Sequence, residues 1–220
     1  LLCDRTVWRH QADGLAALAN VQVHDFRSHD RIEAMAASVL AAAPPRFALA
    51  GHSMGARVAL EMFRQAPGRV ERIALLDTGI HTVQPGERDK REALVALARS
   101  QGMRALADAW LPPMLHLDSP ALYAELRAMV ERMTPDDFAG QVEALLQRPD
   151  PQPLLASLPR PVLVGVGEHD RWSPPAQHAA MAAMIGDTPV AVFPDAGHMA
   201  PCEHPAAVTT ALRDWLDAAP

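Results

Sequence analysis

The chain has 220 residues, a formal net charge of -6 from 20 basic and 26 acidic residues, and 49% apolar residues; this suits one domain with a sizeable core, and its interspersed charges offer no basic stripe for nucleic acid. Two cysteines, Cys3 and Cys202, make neither a disulfide framework nor a C-x-x-C pair, and no apolar run nears the roughly 20 residues of a membrane span, so a cytoplasmic protein without a membrane partner is expected. The ten histidines show no H-E-x-x-H and no paired Cys/His spacing, and no metal is expected.

The sequence opens at Leu1-Leu2-Cys3-Asp4 without an initiating Met. Val7 to Ala19 reads as a first helix, and Val21 to Phe26 alternates as a strand. Ile32, Met35, Ala36, Val39 and Leu40 recur at helical spacing until Pro44-Pro45 stops the pattern. The apolar run Phe47 to Ala50 then leads into Gly51-His52-Ser53-Met54-Gly55, with Val58, Ala59, Leu60, Met62 and Phe63 beyond it. That is strand, tight turn, helix. In so crowded a turn a Cβ at Gly51 or Gly55 is expected to collide with its neighbours, and Ser53 is pushed out at the tip. There the helix N-terminus and the Met54 amide face any negative charge that develops. The helix ends near Ala66-Pro67-Gly68, and Ile73 to Leu76 is the near-continuous apolar run of a buried parallel strand.

From Thr78 to about Pro159 the alternation stops and four helical patterns follow one another. Leu94, Leu97 and Ala98 mark the first, and Met103, Leu106, Ala107 and Trp110 the second. Ser119-Pro120 and Thr134-Pro135 each read as an N-cap with proline at the first helical position, opening the third and fourth. The proline-rich stretch Arg148 to Pro161 is a stiff return linker. After it, Val162 to Val166 leads into Gly167-Glu168-His169-Asp170, Ser173-Pro174 caps a further helix, and Val190 to Phe193 leads into Asp195-Ala196-Gly197-His198. Val208, Ala211, Leu212, Trp215 and Leu216 describe a last amphipathic helix. Strands separated by helices predict an α/β fold with a doubly wound, mostly parallel sheet. Residues 1–78 and 160–220 form its core, with 79–159 inserted as a helical lid.

A G-x-S-x-G turn, an acidic residue just past one strand and a histidine just past the next stand in the order Ser, Asp, His. That is the order of the α/β-hydrolase family, and the resemblance implies Ser53 as nucleophile, His198 as its base and Asp170 as the acid that orients the histidine. Asp77 also follows a strand and is the alternative acid; Asp170 is preferred because Gly167-Glu168-His169-Asp170 ahead of Ser173-Pro174 resembles that family's commoner acid loop, in which a glycine lets the chain swing out before a capped helix. Asp195 reads as a loop hydrogen-bonding residue, His52 as packing, Cys3 and Cys202 as small buried residues, and Cys202-Glu203-His204 as solvated loop.

These three motifs resemble those of the α/β-hydrolase superfamily, and within it the small, cofactor-independent esterases and enol-lactone or ester hydrolases with a helical lid. The resemblance covers nearly the whole chain. It implies a serine hydrolase that cleaves a carboxylic ester through an acyl-enzyme, with a small-molecule ester or lactone as substrate and no cofactor. Lactone hydrolysis, C–C bond hydrolysis, acyl transfer and a non-catalytic binding role on the same fold remain open. The Met54 amide would be one oxyanion donor. In the family a strand ending in His-Gly or Pro-Gly precedes the first helix and the next residue supplies the second donor, so the first strands are expected upstream of Leu1, with Leu1 or Leu2 as that donor. Trp110, Met114, Met129 and Met133 from the lid, and Trp172 after the acid, would line the acyl pocket, although Met at helical spacing is more often plain core.

Overall fold

In the computed structural model, which describes residues 1–186 and 188–219, the four apolar runs pair side by side as strands. Among the described residues β1 (Phe47–His52), β2 (Val70–Leu76), β3 (Val162–Gly167) and β4 (Val190–Phe193) form one parallel sheet in the order β1-β2-β3-β4. Side chains of β2 alternate between two cores. Ile73 and Leu75 meet α3 (Met54–Gln65) and α7 (Pro175–Ile185), while Ala74 and Leu76 meet α1 (Arg9–Leu15) and α8 (Pro205–Asp217). Leu75 is fully buried, and truncating such a residue to alanine costs about 2–5 kcal/mol.

A third apolar cluster joins α2 (Ile32–Ala42) and one flank of α3 to the helices between β2 and β3. These are α4 (Glu87–Trp110), α5 (Pro120–Glu131) and α6 (Pro135–Leu146). Gly102, at φ 84° and ψ 172°, breaks α4 into the two helical patterns visible in the sequence. Ser119 accepts the Leu122 amide, and Thr134 forms a capping box with Asp137, so both helices start where their N-caps indicate. The α7 start is displaced by one residue: Pro174 is the N-cap position, and Ser173 instead donates its amide to Asp170. Among the described residues no helix is long and apolar enough to cross a membrane.

The structure departs from expectation near the start. The first helix spans only Arg9–Leu15 and turns follow it. The Val21 to Phe26 stretch is not a strand. A strand exists only through a ladder partner, and between this stretch and β1 lies a cavity of about 390 Å3 lined by Val21, Val23 and Phe26 on one side and Phe47, Leu49 and Gly51 on the other. Alternation without a neighbour to pair with leaves an irregular segment.

Candidate active site

Ser53 lies between β1 and α3 with φ 54° and ψ -119°, a conformation that costs of order 1–3 kcal/mol and persists only when its surroundings enforce it. Here they do: the Ser53 amide donates to the Leu76 carbonyl at 2.9 Å, and Thr78 Oγ1 donates to the Ser53 carbonyl at 3.0 Å. A Cβ on Gly51 would sit 2.4 Å from the Ala56 Cα and 2.5 Å from the Gly55 carbonyl oxygen, so only glycine fits there. Gly55 differs from expectation, since a Cβ added to it meets nothing within 4 Å.

The Ser53 hydroxyl lies 2.9 Å from His198 Nε2, and His198 Nδ1 lies 2.9 Å from Asp170 Oδ2. With the carboxylate accepting from Nδ1–H, Nε2 is the free acceptor for the hydroxyl, a tautomer that follows from the hydrogen-bond network. Asp170 Oδ1 also accepts the amides of Trp172 at 2.8 Å and Ser173 at 3.0 Å. Burial pushes the Asp170 carboxyl up, but the His198 hydrogen bond and charge, with those two amides, outweigh it and hold it below the usual carboxylate range. Asp77, the alternative acid, is elsewhere: its Oδ1 accepts the Gly167 amide at 2.8 Å. Burial raises its carboxyl well above the ordinary value.

His198 is held through its backbone as well as its ring. Its amide donates to the Met114 carbonyl at 2.8 Å, and its carbonyl accepts from His52 Nε2 at 2.7 Å. Burial, with His198 beside it, lowers the His52 ring to about 3, so His52 is a neutral donor. The Cys202-Glu203-His204 stretch is not a solvated loop at its centre. Glu203 is buried and accepts three backbone amides, His116 at 2.6 Å, Leu117 at 2.9 Å and Gly197 at 2.8 Å. It thereby ties the histidine loop to the segment ahead of α5, a role its place in the sequence does not signal. Burial raises the Cys3 thiol and pushes Cys202 up to about 12, so neither is a ready nucleophile.

A cavity of about 40 Å3 adjoins Ser53 and His198 and is lined by Leu1, Trp110, Met114 and Trp172. Trp110 and Trp172 meet edge to face at 6.5 Å, and Trp172, 39% exposed, stands at the mouth. The 390 Å3 cavity beside β1 contacts neither Ser53 nor His198. Three expectations need correction. Met129 and Met133 do not line the cleft; both are buried in the cluster of α2, α3 and α4–α6, because they face neighbouring helices. Leu2 is not a free donor either, since its amide is engaged by Gln141 Oε1 at 2.7 Å. Met54 opens α3, and the first amides of a helix have no acceptor within it.

A hydroxyl, an imidazole and a carboxylate in one hydrogen-bonded line, with an apolar cleft beside them, form an arrangement able to support nucleophilic attack on an acyl carbon. The family model for the alpha/beta hydrolase family matches residues 4–211. The chain belongs to the alpha/beta hydrolase family. Solved structures similar to this hydrolase include an esterase from Thermogutta terrifontis, 29% identical with a TM-score of 0.85, covering 97% of this chain and 85% of that one. The enol-lactonase from Burkholderia xenovorans LB400 is 26% identical with a TM-score of 0.86, covering 99% and 88%. An esterase from Exiguobacterium antarcticum, 15% identical with a TM-score of 0.83 over 98% and 88%, shares the fold. No curated protein matches the sequence.

Proposed function

We propose that this hydrolase cleaves a carboxylic ester through an acyl-enzyme on Ser53. The observation that carries the reading is the unbroken line from Ser53 Oγ to His198 Nε2 and from His198 Nδ1 to Asp170, at 2.9 Å each. Ser53 Oγ attacks the ester carbonyl as its proton passes to His198 Nε2; collapse of the tetrahedral species expels the alcohol, which takes that proton. Water then enters and attacks the acyl carbon as His198 takes its proton; collapse breaks the bond to Ser53 Oγ, which takes that proton back, and the acid leaves. Asp170 keeps the imidazole in the required tautomer and stabilises its cation. The Met54 amide and a backbone donor at Leu1 hold the oxyanion, each such donor being worth about 3–4 kcal/mol. Residues 79–159 act as the lid, with Trp110 and Met114 walling the acyl group, and residues 1–78 and 160–220 form the catalytic core.

A lactone is the second substrate class, favoured by the enol-lactonase relative, and it needs no other residue because its leaving alcohol merely stays tethered to the acyl group. The decisive experiment compares wild type with Ser53→Ala on p-nitrophenyl acetate and on a δ-lactone. Loss of kcat on the order of 10⁴-fold with an unchanged melting curve is expected. Activity retained by the variant removes the proposal.

A further inference from the structure

We propose that His116, His169 and Asp195 form a binding site for a divalent d-block cation such as Zn2+ or Ni2+, outside the Ser53 site. The ligand-bearing atoms of these three exposed side chains all lie within 4.8 Å of one another. They come from three separate segments: His116 from the stretch ahead of α5, His169 from the β3–α7 loop and Asp195 from the loop after β4. The two imidazoles stack at 3.7 Å between centroids and 19° between planes. Glu168 Oε2, 3.8 Å from His169 Nε2, adds negative charge beside them.

The backbone holds these positions independently of the side chains. The His116 amide is fixed on Glu203 at 2.6 Å and the His169 amide on the Ala196 carbonyl at 2.8 Å. Asp195 is in the left-handed region at φ 52°, which aspartate and asparagine tolerate better than other side chains. The donor set of two neutral imidazoles and one carboxylate suits Zn2+, Ni2+ or Cu2+ and not the all-oxygen preference of Ca2+ or Mg2+. Ligand distances of about 2.0–2.2 Å around one ion put donor atoms roughly 3.4 Å apart, so donor atoms that lie within 4.8 Å of one another need to close by at most about 1.4 Å, within reach of exposed side chains. Water completes the coordination sphere. No periodic motif announces the site, because its ligands meet only through the fold.

A cation held here links the segment ahead of α5 to the loops that carry Asp170 and His198, and so its binding stabilises the folded chain. The test is calorimetric titration of the full-length, EDTA-treated protein with ZnCl2 and NiCl2, paired with thermal melts. Expected are one ion per chain, a melting point raised by about 5–10 °C at a hundredfold excess over Kd, and at least tenfold weaker binding in each of His116→Ala, His169→Ala and Asp195→Asn. All three substitutions are at exposed positions, and Asp195→Asn keeps a residue suited to its backbone. The control is His24→Ala, an exposed histidine in another segment, which is expected to bind as wild type. Absence of saturable binding overturns the proposal, as does binding that survives the three substitutions or that falls equally in the control.

Discussion

Glu203→Gln isolates what the buried carboxylate contributes to the position of His198. One oxygen of Glu203 accepts the His116 and Leu117 amides and the other accepts Gly197. Glutamine keeps a carbonyl for the first pair and turns its NH2 toward the Gly197 N–H, replacing an attraction by two facing donors. A hydrogen bond to a charged group contributes about 1.5–3 kcal/mol net, and leaving a buried donor unsatisfied costs about 1–3 kcal/mol. The Gly197 bond is lost and the other two weaken, so a loss of about 3 kcal/mol is expected. The loop cannot relax into a looser packing without moving the histidine: a Cβ at Gly197 would lie 2.6 Å from the Met114 carbonyl oxygen, a measure of how closely the two segments approach. Urea unfolding followed by tryptophan fluorescence reads the stability. Initial rates on p-nitrophenyl acetate read the position of His198, with kcat expected to fall about 10–100-fold and KM to change little, since Glu203 does not line the cleft. A stability change under about 0.5 kcal/mol with an unaltered kcat refutes the role of Glu203 as a positioning residue.

Asp170→Asn is expected to lower kcat by up to about 10⁴-fold because the imidazole loses the partner that fixes its tautomer, while Asp77→Asn, whose side chain is engaged by the Gly167 amide and not by His198, changes it less than about tenfold; reversed effects in parallel kinetics would reassign the acid. The buried His52 ring has its pKa lowered to about 3, by burial first and then by His198, against about 6.5 when unfolded. The unfolded chain therefore binds the extra proton between those values, so this contribution is fully present above about pH 6.5 and is lost as pH falls toward about 3. Between about pH 7.5 and 5.5 wild type should lose about 1.4 kcal/mol more stability than His52→Gln in urea titrations, and parallel losses would contradict the assignment. Gly51→Ala drives a Cβ into the Ala56 backbone and is expected to cost about 4 kcal/mol or more, whereas Gly55→Ala, with open space around it, should stay within about 1 kcal/mol of wild type; equal melting points would refute this reading.

What the sequence alone determined about this protein is whatever short-range chemistry encodes. The Ser53 turn is legible because a strand that reverses into a helix needs glycine at position 51, and the α5 and α6 starts because Ser119 and Thr134 satisfy amides only three residues away. The apolar runs announce four strands, of which β2 is buried along Ile73–Leu76 while β1 and β4 keep exposed positions at Ala48, Ala50 and Val192. The placing of a carboxylate and a histidine after β3 and β4 narrowed the site to a few residues. Tertiary structure decided the rest. Asp77 and Asp170 both follow strands, and only the packing of the β3–α7 loop against the histidine loop brings Asp170 to 2.9 Å from His198. The alternation in Val21 to Phe26 has no ladder partner, so the same pattern that makes a strand elsewhere leaves coil there. Glu203 reads as loop until three amides from distant segments converge on it, and Met129 and Met133 read as pocket or core alike until neighbouring helices cover them. The difference has one physical origin: caps, turns and periodicity are set by neighbours within a few residues, whereas burial, hydrogen-bond partners and the meeting of side chains depend on contacts that exist only once the chain has closed on itself.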